Sequence, residues 1–154
     1  VKGELIVCDG LMMMGNIGAI LRSAVAFGQK HVLFLNRDPH TLYDRRLIRA
    51  SRGYVFCLHV HCLSVEHFIQ LCMQHNRQIV ILDSASGISL SAWQPQQQSA
   101  VVLGAEKHGS HEQLRSAAHC AVRISMDDRA ESLNVSVAAG IILQRIYQSQ
   151  DQIP

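Results

Sequence analysis

The chain has 154 residues, of which 48% are hydrophobic and 17% charged, and its formal net charge is +2. This length and hydrophobic content suffice for one core, so we predict a single domain over residues 1–154. No apolar run approaches the length of a membrane span, so we expect a soluble protein, and the small net charge is only a weak indication of a polyanionic partner.

Six short apolar segments bounded by turn residues are predicted as strands. They are rich in Val, Ile and Leu, which is typical of strands buried on both faces of a parallel sheet. In chain order they are ELIVCD (4–9), HVLFLN (31–36), YVFCLHV (54–60), QIVILD (78–83), SAVVLG (99–104) and CAVRISM (120–126).

Longer segments between the strands have helical spacing. Gly28 ends the first helix, which follows a glycine turn at GNIG (15–18), and Ser64 is a plausible N-cap of another. Strands that alternate with helices predict an α/β domain with a mostly parallel sheet flanked by helices. The helices are predicted over 17–28, 45–52, 64–76 and 133–150.

The five cysteines are an odd number without C-x-x-C spacing. This pattern indicates reduced thiols, and we expect a cytoplasmic protein. A zinc site is an alternative, because Cys57, His59 and His61 share one face of the predicted strand 54–60. The same alternation is expected of any half-buried strand, so we assign no metal.

Three loops at the carboxyl ends of predicted strands carry unusual residues, and ligands bind at this edge of open parallel sheets. The first loop holds Asn16, Gly18 and Arg22, where a glycine lets the backbone approach closely. The second is GAEKHG (104–109), and the third is 127–134. Each has a purely structural alternative, such as turn glycines, or a helix N-cap at the serine of the third loop.

The order N-x-G-A-I-x-R, L-G-x-E-x-x-G, S-L-N-V-S-x-A-x-G resembles the three motifs of the SpoU branch of the SPOUT methyltransferases. The resemblance extends from Ile6 to Tyr147 and is most specific in ESLNVSVAAGI (131–141). The segments DRRLIRASRGYVF, GNIGAI and GAEKHG resemble in particular the thiostrepton- and nosiheptide-resistance methyltransferases of ribosomal RNA.

This resemblance implies a C-terminal deep trefoil knot, and a homodimer that packs through the first and last helices. It implies S-adenosylmethionine as the cofactor and a ribose 2′-hydroxyl of large-subunit ribosomal RNA as the substrate. It also implies an N-terminal RNA-binding domain outside this chain. Transfer RNA as the substrate, and a non-catalytic RNA-binding relative, are the alternatives, and antibiotic resistance or housekeeping modification both stay open.

The resemblance also assigns catalytic roles. Arg22 would hold the phosphate beside the target ribose and stabilise negative charge on its oxygen, since a guanidinium is a poor base. Asn16 would orient Arg22 or the ribose. Glu106 would anchor the side chain of Arg22 or that of Asn16. Ser132 and Asn134 would hold the third loop and reach the target nucleotide.

In this family the cofactor is held mainly by backbone groups, between apolar side chains. The matching positions here are Leu103, Gly104, Ile124, Met126 and Leu133.

RNA phosphates would be bound by Lys107 and by a cluster of arginines at 45–52. Arg45, Arg49 and Arg52 fall on one side of the predicted helix. A solvated charged helix face is the alternative. The chain departs from many relatives before Asn16, where an Asp-Pro pair is usual and this chain has DGLMMMGN (9–16), and at Ser125, where proline is usual.

Overall fold

The computed structural model describes residues 3–95, 98–105 and 110–150. Within these ranges the strands are β1 (Leu5–Asp9), β2 (His31–Leu35), β3 (His59–Leu63), β4 (Gln78–Leu82), β5 (Ile88–Ser89), β6 (Ser99–Leu103) and β7 (Cys120–Arg123). The helices are α1 (Met14–Ala26), α2 (Arg45–Ala50), α3 (Val65–Gln74), α4 (Glu112–Ala117) and α5 (Val135–Gln150).

The strands form one sheet in the order β3-β2-β1-β6-β4-β7-β5, and every neighbouring pair is parallel. The prediction of an α/β domain with a mostly parallel sheet is therefore confirmed. β1 and β6 lie side by side near the centre and are buried along their whole length. Their continuous apolar sequence follows from this burial on both faces.

Helices cover both faces of the sheet and give the domain two apolar cores. On one face, α1 and α5 contribute side chains such as Ile20 and Ile142. On the opposite face, α3 and α4 contribute Phe68 and Leu114. Because the strands are parallel, their carboxyl ends meet at one edge, and the loops that leave this edge form the candidate site.

The predicted strand 54–60 is wrong in its first half. Residues Tyr54–Cys57 form a 3-10 turn, and the strand begins only at His59. The turn follows Gly53, whose φ of 79° is left-handed, and it buries Val55 in the core that α1 contributes to. Burial of this side chain outweighs the strand propensity of Val and Phe.

The glycine-rich segment 15–18 is predicted as a turn but lies inside α1, which begins at Met14. Gly18 is buried where α1 meets α2. A Cβ atom at this position would lie 2.5 Å from the Ala50 Cβ and 2.6 Å from the Ala50 carbonyl carbon. Gly18 therefore lets two helices pack closely, whereas we had expected it to let the backbone approach a ligand.

The short elements β5 and α4 are missing from the sequence prediction. β5 has two residues and α4 has six, too few for a hydrophobic period to show. Among the described residues, no helix is long and apolar enough to cross a membrane. The trefoil knot stays a prediction of the family resemblance.

Candidate functional site

A cleft of about 370 Å³ opens at the carboxyl edge of the sheet, where β4, β6 and β7 end and α5 begins. Its volume falls within the range of small-molecule sites. All five residues predicted to bind the cofactor line this cleft, together with one of the predicted catalytic residues. They are Leu103, Gly104, Ile124, Met126, Leu133 and Ser132.

The lining of the cleft has an apolar part and a charged part. Val135 and Leu103 belong to the core on the α5 face, and they contribute apolar surface. Asp83 and Arg115 also line the cleft, and Arg115 Nη2 donates to Asp83 Oδ2 over 3.3 Å. The cleft can therefore accept a ligand with a flat apolar part and a charged part.

Asn134 connects the first and third predicted motifs. Its Nδ2 donates to Oδ1 of Asn16 over 3.1 Å. Its own Oδ1 accepts from the backbone N–H of Ser136 at 2.9 Å and from the Ser136 hydroxyl at 2.6 Å. Asn134 immediately precedes α5 and thus acts as its N-cap. The alternative of an N-cap at Ser132, which is exposed and two residues earlier, is wrong.

Arg22 lies apart from the cleft. It is exposed on α1 and lines a shallow depression with Phe27 and Tyr54. It forms no hydrogen bond or ion pair with any residue that the structure describes. The structure thus brings Asn16 and Asn134 together but leaves Arg22 outside the cleft. Glu106 and Lys107 lie outside the described residues.

The arginine cluster is exposed at Arg45, Arg49 and Arg52. α2 ends at Ala50, and Arg52 follows it with a left-handed φ of 52°. The prediction that these three arginines share one helical side is therefore wrong for Arg52.

The neighbouring Arg46 is already paired, with Arg46 Nη2 at 2.7 Å from Asp44 Oδ2. Hydrogen bonds from Arg46 lower the pKa of Asp44 to about 2.

The histidines of the alternative zinc site stack with a third histidine. The ring of His31, on β2, lies 4.9 Å from that of His59 and 5.7 Å from that of His61. Burial, and then the charges of the two neighbours, lower the pKa of His31. Cys57 lies in the 3-10 turn before β3, so it is not on the strand face of the histidines. The described residues contain no group of three side chains suited to a metal.

Asp9 is a buried carboxylate at the carboxyl edge of the sheet that the sequence prediction of the site does not include. It ends β1 with only 1% exposure, and its Oδ2 accepts from the backbone N–H of His111 at 2.7 Å. His111 Nδ1 lies 3.5 Å from Asp9 Oδ1. Asp9 therefore fixes the end of the loop that begins at Gly104. A carboxylate that ends a buried strand was the signal in the sequence.

Arg37 was also missed, and it fixes the loop between β1 and α1. Its guanidinium donates to the Leu11 carbonyl and to the Thr41 hydroxyl, each over 2.7 Å. Cys8, also on β1, is no candidate nucleophile, because burial raises its pKa to about 12.

Known proteins resemble this chain in sequence and in structure. The SpoU rRNA Methylase family matches residues 4–144. The chain is 37% identical over 143 residues to a 23S rRNA (adenosine(1067)-2′-O)-methyltransferase from Streptomyces azureus, covering 92% of the chain and 53% of the relative.

Solved structures of RNA methyltransferases share the fold of this chain. An RNA 2′-O ribose methyltransferase crystal structure matches with a TM-score of 0.86 and 33% identity, over 95% of this chain and 56% of that one. An AdoMet-bound rRNA methyltransferase from Sinorhizobium meliloti matches with a TM-score of 0.87 and 26% identity, again over 95% and 56%. The chain thus spans about half the length of the curated relatives it matches.

Proposed function

Because this chain belongs to the SpoU rRNA methylase family, we propose that it transfers a methyl group from S-adenosylmethionine to a ribose 2′-hydroxyl of ribosomal RNA. The observation that carries this proposal is the cleft at the carboxyl edge, which the residues of the second and third motifs line together. The first motif is joined to it through Asn16 and Asn134. The names of the relatives support ribosomal RNA as the substrate.

The residues of the cleft fit S-adenosylmethionine. Leu103, Ile124 and Leu133 offer apolar surface to an adenine ring, and the backbone at Gly104 and Met126 offers polar groups. When bound, the cofactor supplies an electrophilic methyl group on a positively charged sulfur. The cleft itself positions this group.

Arg22 acts on the substrate side. A guanidinium stays protonated near neutral pH, so Arg22 serves as a donor and not as a base. Its exposed donors bind the phosphate beside the target ribose and stabilise negative charge on the 2′-oxygen as its proton leaves. Asn16 orients the ribose or Arg22, Asn134 and Ser132 hold the third loop near the nucleotide, and Glu106 anchors the asparagine or the arginine.

A homodimer completes the site. Arg22 does not line the cleft of its own chain, which supports a site that draws on two copies. α5 exposes Val137 and Tyr147, and the Tyr147 ring packs 6.0 Å from that of Phe27, at the end of α1. These apolar groups support a dimer interface on α1 and α5.

RNA phosphates bind to exposed arginines at and after α2, and to the lysine of the second loop. Such contacts give affinity and salt sensitivity but little sequence choice. Ribosomal RNA as the substrate also supports the cytoplasm as the place of the reaction. The residues are Arg45, Arg49, Arg52 and Lys107.

Labelled S-adenosylmethionine tests the proposal with ribosomal RNA and transfer RNA in separate reactions. A methyl group on the 2′-oxygen blocks alkaline cleavage of the next phosphodiester, because that oxygen is the attacking group. We expect the label in ribosomal RNA, in an alkali-resistant dinucleotide. Label in a base, label in transfer RNA alone, or no transfer to either RNA would contradict the proposal.

A further inference from the structure

The cleft contains one pair of opposite charges that none of the three motifs includes. Among the described residues that line it, Asp83 and Arg115 are the only charged ones. The Asp83 side chain is 14% exposed and that of Arg115 is 51% exposed. Asp83 follows β4 directly, and Arg115 lies on α4.

Asp83 is firmly held and in turn holds Arg115. Its Oδ1 accepts from the Ala85 backbone N–H at 2.8 Å, and its Oδ2 accepts from the Ser86 hydroxyl at 3.2 Å. Arg115 uses only Nη2 in its contact with Asp83, at 3.3 Å. A guanidinium has five N–H donors in a fixed fork, so the contacts with described residues leave donors on Arg115 that suit a carboxylate.

The charged pair enters the cleft from the face of the sheet opposite to α5. α4 contributes Leu114 to the core on its own face, whereas α5 contributes Val135 to the core on the other face. Side chains alternate along a strand, and Ile81 points to the α4 core, so Asp83 two residues later is directed to the same side. The apolar and charged parts of the cleft therefore lie toward different faces.

S-adenosylmethionine has the same division. Its adenine ring is flat and largely apolar, whereas its aminoacyl end carries an ammonium and a carboxylate. We propose that Arg115 binds the carboxylate of this aminoacyl end, and that Asp83 is the positioning residue that holds the guanidinium in place. This inference rests on the proposed function and adds an assignment outside the three motifs.

A purely structural role for the pair is the competing explanation. An ion pair in which one partner is half exposed contributes little to the free energy of unfolding, because water screens the two charges. The pair also joins the loop after β4 to a helix of only six residues. The two explanations differ in whether the effect of a substitution depends on the aminoacyl group of the ligand.

Calorimetry with two thioether nucleosides separates them. S-adenosylhomocysteine carries the aminoacyl end, and 5′-methylthioadenosine lacks it. We expect Arg115→Met, which retains the aliphatic stem, to weaken S-adenosylhomocysteine binding on the order of ten-fold and to leave 5′-methylthioadenosine unchanged. Arg46→Met is the matched control, since it removes an arginine of another Asp–Arg pair outside the cleft, and we expect it to change neither affinity.

Asp83→Asn tests the positioning role. We expect a smaller selective loss of S-adenosylhomocysteine affinity, and no further loss when Asp83→Asn is added to Arg115→Met. Equal weakening of both nucleosides, or unchanged affinity for both, would overturn the inference while the proposed function stands. If the wild-type protein binds neither nucleoside, the proposed function fails and this inference fails with it.

Discussion

Asn134 shows how one amide can serve both the fold and the site. Its oxygen accepts from the N–H of Ser136 and so caps α5, and its nitrogen donates to Asn16 at the start of α1. A helix N-cap needs only the acceptor. The bridge between two motifs also needs the donor, which serine, threonine and aspartate would not supply in the same way.

Two substitutions of this residue separate the functions. We expect Asn134→Ala to lower the free energy of unfolding by about 1 kcal/mol, because the cap is lost. Asn134→Asp keeps the acceptor and is expected to stay within about 0.5 kcal/mol of wild type. Both should slow methyl transfer roughly ten-fold, because neither donates to Asn16.

Urea denaturation and initial rates of labelled methyl transfer measure these effects. Wild-type transfer by Asn134→Asp would contradict the role of the bridge.

At the scale of elements, the sequence pattern predicts the strands and helices in which buried positions recur over several residues. The continuous apolar runs of β1, β2, β4 and β6 mark strands covered on both faces. β5 and α4 are too short to repeat. The segment Tyr54–Cys57 has strand-forming residues, but packing of Val55 against distant parts of the chain decides its conformation.

Gly18 also acts at the scale of elements, because the close packing of α1 on α2 depends on it. We expect Gly18→Ala to lower the free energy of unfolding by about 1–3 kcal/mol, since the new Cβ would overlap Ala50 and the Ser51 backbone. Gly15→Ala is the control in the same helix. Apart from its chain neighbours and its own helix backbone, no atom of the described residues lies within 4 Å of its Cβ position, so the helix propensity of alanine should stabilise it by about 0.5–1 kcal/mol.

Urea denaturation of Gly18→Ala, Gly15→Ala and the wild-type protein measures these changes in the free energy of unfolding. Equal stability changes would show that α1 and α2 do not pack as closely as described.

At the scale of the whole molecule, the candidate site has two parts. The five residues predicted to bind the cofactor line one cleft because the second and third motifs follow parallel strands, whose carboxyl ends converge. The separation of Arg22 from the cleft was not visible in the sequence. Arg22 belongs to the same motif as Asn16, but it follows six residues later on α1, so the helix turns the two side chains in different directions about its axis.

A second copy of the chain would bring an arginine to the cleft, so assembly is a prediction at this scale. We expect light scattering to give twice the 17.1 kDa of one chain. Val137→Glu should shift the protein toward the monomer, because a charge would replace an exposed apolar side chain on α5. Met73→Glu changes another exposed apolar residue, on α3, and it should leave the dimer intact.

A monomer mass for the wild-type protein at all concentrations would contradict this assembly.

We propose that different parts of the site bind the cofactor and the substrate ribose. Arg22→Ala tests it most directly, with calorimetry of S-adenosylmethionine binding and labelled methyl transfer to ribosomal RNA on the same preparation. We predict that transfer falls roughly 100- to 1000-fold while cofactor affinity stays within about two-fold. Transfer at the wild-type rate, or a loss of cofactor affinity as large as the loss of transfer, would contradict the claim.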